Sequence, residues 1–310
     1  MSAVNNRWRI YSYRLPLAKK LLVLGHNDGY REGLVLEKKT AYGSLFSEVA
    51  PLPSFHGISL ESCYQELLHY IQEGVWPAHP INQFALLCLE KNQYSSHQIP
   101  CNALHSLSQR MSLSNDHYQI VKFKIARNDM STDIQQLKNW SEQHPDKIIR
   151  LDGNRSWSMS QLFQFFEQVS HLPIQYIEDP LRDPSQYSFL QDIPIALDES
   201  LVDYPEQKNA PCVTHLIVKP TLHSQKSIEN FAQTGLPLIF TSTFETSLGI
   251  WYIAQISQQY SPAETHGLAT LDWFAQDLSF ESITMKREHL IIKRSPPKPN
   301  RAHLQLRFST

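Results

Sequence analysis

The sequence predicts an α/β protein in which a β/α barrel follows a smaller α+β module. Two observations carry the prediction. Five apolar runs each end in one or two charged residues: Val121-Lys122-Phe123-Lys124, Ile148 to Asp152, Ile174 to Glu178, Ile193 to Asp198, and Leu216 to Lys219. The charged ends fall 20 to 28 residues apart, which matches the repeat of a strand plus its crossover. Helix-patterned stretches alternate with these runs, at Asp133 to Glu142, Ser160 to Ser170, Pro184 to Gln191, Ser224 to Thr234 and Ser247 to Gln259, the order expected of parallel β/α units. Barrel strands converge at their C-terminal ends, so five charged ends on one rim would meet in one pocket.

Ahead of the barrel, residues 7 to about 50 alternate as strands do: Arg7 to Leu15, Leu21 to Leu24 and Gly33 to Glu37, which suggests an antiparallel sheet. Ser59 opens a segment with Leu60, Cys63, Tyr64, Leu67, Leu68 and Ile71 at helical spacing, closed by Gly74. A second apolar helix is expected over Ile81 to Leu89. After Ile283 the chain reads as a strand at His289 to Lys293, then turns proline-rich through Ser295-Pro296-Pro297-Lys298-Pro299. The organisation expected is a capping domain over 1–100, a barrel over 101–282 and a C-terminal tail over 283–310 that returns to the cap.

Composition narrows the function. The 310 residues are 41% hydrophobic and 19% charged with a formal net charge of −2, so no basic field is available for nucleic acid or an anionic membrane. No apolar run approaches the ~18 residues needed to span a bilayer, and the polar first residues do not read as a signal peptide; a cytoplasmic location is expected. Four cysteines without a C-x-x-C pair and 14 scattered histidines argue against a zinc site or a disulfide framework.

Asp152, Glu178 and Asp198 are three hard oxygen ligands from three segments, a set that suits Mg²⁺ better than zinc. Taken singly, each is more simply a surface acid; their ordered placement after apolar runs favours joint use. Lys122 and Lys124 lie two apart on one strand and share a face. Beside a second cation and a metal, a partly buried lysine can act as a base. Lys219, from a later strand, would face Lys124 across a bound substrate. These parts suit removal of a proton α to a carboxylate, with a metal stabilising the ene-diolate. Asn154 and Glu199 adjoin metal ligands and could orient them; Glu199 would point away from Asp198 if the strand continued. Arg155 and Asp179 read more simply as an ion pair.

Lys122-Phe123-Lys124, Arg150 to Trp157, Tyr176 to Pro180, Leu197 to Leu201 and Ile217 to Thr221 resemble, as a set, the successive motifs of the enolase superfamily. Ser47 to Pro53, Thr241 to Gly249 and Gly267 to Leu271 are most similar, within it, to the o-succinylbenzoate synthase family of menaquinone biosynthesis. The resemblance implies a modified TIM-type (β/α)7β barrel with an N-terminal α+β capping domain. It implies a Mg²⁺-dependent lyase, with Mn²⁺ a candidate substitute, acting on a small carboxylate. Lys124 would remove the α-proton of 2-succinyl-6-hydroxy-2,4-cyclohexadiene-1-carboxylate and, as its conjugate acid, assist loss of hydroxide from the same face. Lys219 would stabilise the ene-diolate. Ser242 and Thr243 could bind the succinyl carboxylate, an ordinary polar loop being the plain alternative.

The chain departs from the family pattern at Ser47, where glycine is usual, at Gly153, where alanine is common, and at Asp179, where glutamate is common. Loops near Gly25 to Tyr30 and Pro51 to Gly57 are expected to close over the substrate and exclude water. Two other readings stand beside this one: an N-acylamino acid racemase or dipeptide epimerase using the same two lysines, and a binding protein on a barrel that has lost catalysis. The epimerase reading is weakened because Gly267 to Trp273 contains only Asp272, not the aspartate-rich motif that family carries.

Overall fold

A computed structural model describes residues 7–18, 29–41, 43–90, 93–106, 117–279 and 281–310. The run Leu21 to Leu24, expected as a strand, and most of the Gly25 to Tyr30 loop lie outside the described residues. Strands β1 (Arg7–Pro16), β2 (Tyr30–Thr40) and β3 (Gly43–Val49) form an antiparallel sheet that β14 (Gln305–Ser309) extends by pairing with β1. Alternation along the strands buries both faces of this sheet. Trp8, Ile10, Leu34, Leu36 and Val49 pack with Cys63, Leu67, Ile81 and Ala85, whereas Tyr11, Tyr13, Leu15, Val35 and Phe46 join the barrel's core.

The helices on the outer face start and stop where local chemistry dictates. After the short α1 (Pro53–His56), α2 (Leu60–Glu73) is capped by the Ser59 hydroxyl accepting from Ser62 N–H and ends at Gly74, whose φ of 76° suits glycine. Helix α3 (Pro80–Cys88) begins with a proline in its first turn.

Next come β4 (His97–Pro100) and the barrel strands β5 (Ala103–Ser106), β6 (Ile120–Lys124), β7 (Ile148–Asp152), β8 (Ile174–Glu178), β9 (Ile195–Leu197), β10 (Val213–Val218) and β11 (Leu238–Phe240). The seven from β5 to β11 lie parallel in sequence order. Closure comes from a segment between β11 and β5: Gly267 N–H donates to Phe240 O and His266 N–H to Pro100 O, with bridges Thr241–Gly267 and Cys101–His266. This makes an eight-membered barrel whose last member is a short bridge, in keeping with the (β/α)7β class.

The crossovers carry α4 (Met130–Gln143), α5 (Met159–Val169), α6 (Glu199–Asp203), α7 (Gln225–Ala232) and α8 (Ser247–Tyr260). Asp129, Ser158, Ser224 and Thr246 cap four of them through side-chain oxygens. The helix expected over Pro184 to Gln191 is instead a 3-10 turn over Pro184–Phe189. Pro184 could open either kind of helix, and the turn stops where Leu190 is already extended, at φ −96° and ψ 147°, on the way to β9. Strands β12 (Ile283–Lys286) and β13 (His289–Ile292) form a small sheet with β4. All four cysteines are buried and free of disulfides. No helix among the described residues is long and apolar enough to cross a membrane.

Inside the barrel, Tyr176, Ala196, Ile217 and Ile239 form a separate apolar cluster, a floor beneath the charged strand ends. Ile239→Ala should cost about 2–5 kcal/mol by opening a cavity there. Denaturant unfolding would check it as a lower midpoint with an unchanged slope.

Candidate active site

Parallel pairing brings the sequence-predicted charges together. Lys124 is the register partner of Asp152, and Asp152 of Glu178. Asp198 and Lys219 each stand one residue past the ends of β9 and β10. From β6 to β10 is four steps around an eight-membered barrel, so Lys124 and Lys219 stand on opposite sides of the acids. Lys122 Nζ lies 2.5 Å from Glu178 Oε1 and 3.1 Å from Asp152 Oδ2. Lys124 Nζ is 3.7 Å from Asp152 Oδ2 and 3.3 Å from Asn154 Oδ1. Lys219 Nζ donates to Asp198 Oδ1.

These groups titrate against one another. Burial would lower the Lys122 ammonium, but Asp152, Glu178 and Asp198 outweigh it and hold it well above the usual lysine value. Burial likewise opposes charge on Lys219, and Asp198 with Glu199 reverses the effect, so it too is raised. Asp152 is pushed up by burial and brought below its usual value by Lys122 and Lys124. Glu178 moves the other way: burial and repulsion from Asp152 and Asp198 outweigh Lys122 and push it well up.

Among the described residues no three acidic, histidine or cysteine side chains are already gathered as a metal cage; lysine ammonium groups lie against the acids instead. The donor set nonetheless fits a hard divalent cation. Glu178 Oε2 is buried without a hydrogen-bond partner, and three converging buried carboxylates leave Glu178 short of positive charge. Asp152, Glu178 and Asp198 are the residues that could supply its ligands.

Local geometry supports this arrangement. Asn154, Arg155 and Asp179 adopt left-handed φ values of 44°, 53° and 38°, conformations that need outside support. It comes from Arg155 N–H donating to Asp179 O at 2.6 Å, Trp157 N–H to Pro180 O at 2.9 Å and Ser200 N–H to Asp179 Oδ2 at 2.8 Å. Asn154 N–H also donates to Asp152 Oδ1 at 3.2 Å, so Asn154 touches both Asp152 and Lys124. Arg155 pairs more closely with Asp203, at 2.7 Å, than with Asp179, at 3.7 Å. Glu199 departs from the expectation that it points away: the strand ends at Leu197, Asp198 takes φ −114° and ψ −95°, and Glu199 opens α6. It is left half-buried beside the site, where burial and then Asp198 push its carboxyl up to about 7.

On the rim after β11, Ser242 Oγ is 2.8 Å from Thr270 Oγ1. Thr243 is buried and committed to Glu245, its N–H donating to Oε2 at 2.7 Å and its hydroxyl to Oε1. Thr243 thus serves the loop's own structure, and Ser242 is the more open of the two. The capping loop reaches the same rim: the Phe55 ring centroid lies 5.2 Å from Lys219 Nζ, and His56 Nε2 is 3.2 Å from Thr221 Oγ1. Arg31, fully buried, donates to Pro51 O at 2.9 Å, Phe244 O at 3.0 Å, Thr243 O at 3.3 Å and Ala50 O. Sequence reasoning gave no role to Arg31, Phe55, His56, Thr221 or Glu245. The signals available were the Pro51 to Gly57 loop, which holds Phe55 and His56, the Thr241 to Gly249 motif, which holds Glu245, and the place of Thr221 two residues past Lys219.

Residues 105–210 match the family described as enolase C-terminal domain-like. The o-succinylbenzoate synthase of Pasteurella multocida is 28% identical over 302 residues, covering 86% of this chain and 89% of the relative. Two solved structures share the fold. One is an o-succinylbenzoate synthase from Thermosynechococcus elongatus complexed with Mg in its active site, with TM-score 0.72, 21% identity, and 87% of this chain and 95% of that one covered. The other is a dipeptide epimerase from Methylococcus capsulatus complexed with Mg and the dipeptide L-Arg-D-Lys, with TM-score 0.75, 17% identity, and coverage of 94% and 97%. The chain thus has the fold of these structures and resembles the enolase C-terminal domain-like family over residues 105–210. The resemblance to proteins named o-succinylbenzoate synthase holds across most of its length.

At Gly153 a Cβ would lie 2.7 Å from Pro180 Cα, so the departure from alanine noted in the sequence answers a close approach of two backbones. Gly153→Ala should cost about 1–3 kcal/mol as the 153–157 and 179–182 loops are forced apart. Thermal unfolding of the variant would check it.

Proposed function

We propose that this enzyme dehydrates 2-succinyl-6-hydroxy-2,4-cyclohexadiene-1-carboxylate to o-succinylbenzoate, with Mg²⁺ held by Asp152, Glu178 and Asp198. The observation that carries the reading is the opposition of Lys124 and Lys219 across three acids at one barrel mouth. Mg²⁺, when bound, supplies positive charge against which the substrate carboxylate becomes dianionic on losing its α-proton. Lys124 Nζ takes that proton and then delivers it to the departing hydroxyl, so one water leaves and the ring becomes aromatic. Lys219, held as an ammonium by Asp198, faces the developing negative charge. Asn154 orients Lys124 through its Oδ1. Lys122, wedged between Asp152 and Glu178, favours the ionised form of both and helps hold Asp152 below its usual value, although burial and the neighbouring acids outweigh it at Glu178. Ser242, at the open rim, would receive the succinyl carboxylate. Relatives named o-succinylbenzoate synthase support the choice of substrate.

Racemisation of an N-acylamino acid is the second reading, because two opposed lysines can take a proton from one face and return it to the other. The dipeptide epimerase neighbour shows the fold serves that chemistry in another protein.

Lys124→Ala should abolish dehydration while leaving Mg²⁺ affinity and melting temperature near wild type, because it removes the base and no ligand; the absorbance change on conversion to o-succinylbenzoate reads the first and calorimetric titration the second. Near-normal turnover by that variant would sink the mechanism. Glu178→Gln should weaken Mg²⁺ binding by more than the roughly 10–100-fold that loss of an outer partner costs, measured in the same titration.

A further inference from the structure

Besides the Arg31 contacts, a chain of hydrogen bonds through His56 ties the capping loop to the barrel. His56 Nδ1 lies 3.0 Å from Leu52 N and 3.2 Å from Leu52 O. That carbonyl already accepts the Phe55 and His56 amides, at 2.8 and 2.9 Å, so Nδ1 takes the Leu52 N–H and the ring proton sits on Nε2. Nε2–H then donates to Thr221 Oγ1 at 3.2 Å, and the Thr221 hydroxyl donates to Glu245 Oε1, also at 3.2 Å. Thr221 and Glu245 are both buried; Thr221 Oγ1 also lies 3.1 Å from Thr243 Oγ1, whose hydroxyl donates to Glu245 Oε1, so both routes from Thr221 end on Glu245. The residue before His56 is Phe55, whose ring stands over Lys219 Nζ.

We propose that His56 is a positioning residue that latches the capping loop to the barrel rim through Thr221 and Glu245, and so holds Phe55 over Lys219 while substrate is enclosed. For its kinetic arm this rests on the dehydration reading above. The latch spans cap and barrel, so it sets how firmly substrate is held, not how fast the proton moves. It also depends on a neutral imidazole, since a protonated Nδ1 cannot accept the Leu52 amide. The charged groups facing the ring are Arg31 from β2, Lys219 beyond β10 and, through Thr221, Glu245. Burial, outweighing the opposing Leu52 hydrogen bond, lowers its value to about 4, with smaller contributions in the same direction from Arg31 and Lys219. An open loop returns the ring to the ordinary value near 6.5. The open form therefore binds more protons, and closure weakens as pH falls from about 6.5 towards 4, by about tenfold at pH 5.5.

Three substitutions separate the latch from local packing. His56→Gln keeps a donor at the reach of Nε2; His56→Asn keeps only the acceptor near Leu52; Thr221→Val removes the hydroxyl from the other side. Amide hydrogen exchange over residues 50–57, without substrate, should quicken up to about tenfold in His56→Asn and Thr221→Val, the scale of one lost hydrogen bond, and stay within threefold of wild type in His56→Gln. With the cyclohexadiene substrate, KM should rise about tenfold in the first two with kcat within threefold. The rise of wild-type KM on acidification to pH 5.5 should be absent in His56→Gln. Unchanged exchange and KM in His56→Asn and Thr221→Val would overturn the latch, as would parallel losses of kcat and melting temperature without faster loop exchange. If wild-type protein fails to turn over this substrate, the dehydration reading falls, and the exchange measurement still decides the latch.

Discussion

Three carboxylates and three ammonium groups share the mouth of the barrel, and their charge balance is the constraint on which the rest of the structure depends. Charges taken from water must find partners at close range. Parallel pairing supplies them by placing Lys124, Asp152 and Glu178 side by side in register, while the apolar floor of Tyr176, Ala196, Ile217 and Ile239 closes the space below. The balance is uneven at Glu178, which is pushed up while Asp152 is pulled down. That unevenness gives the site its appetite for a further positive charge.

The cap meets the barrel through buried polar contacts as well as apolar ones. Glu48 on β3 accepts from Tyr13 OH, from the Thr246 amide and hydroxyl, and from the Gly249 amide at 2.8 Å, so a cap carboxylate closes the start of α8. Burial pushes that carboxyl up to about 7. A Cβ at position 249 would lie 2.7 Å from Glu48 Oε2 and 2.6 Å from Glu245 Cβ, which is why the helix begins with a glycine in its first turn. Arg31 completes the junction by spending its donors on carbonyls of two loops, one from each side.

Much of this was legible in the sequence because it depends on local period. Apolar runs ending in Lys124, Asp152 and Glu178 are strands whose last residues reach the rim, and Ser59 with Gly74 marks both ends of α2. What could not be read depends on contacts between distant segments. The Pro184 to Gln191 stretch has helical spacing, yet its backbone turns extended at Leu190. Glu199 follows a backbone turn at Asp198 that no periodicity encodes. Thr243 looked free to bind a ligand because its partner, Glu245, folds back from two residues on. Arg31 sits in an ordinary strand sequence, and only the tertiary fold shows that its acceptors lie on loops near residues 50 and 244.

The pairing of β14 with β1 ties residues 305–309 to residues 9–12. During synthesis the outer edge of β1 therefore has no neighbour until almost the whole described chain has been made. Barrel closure also waits for residues 266 and 267. A nascent chain emerging from the ribosome thus carries an unsealed barrel and an open sheet edge together, and this is when it is most exposed to pairing with other chains.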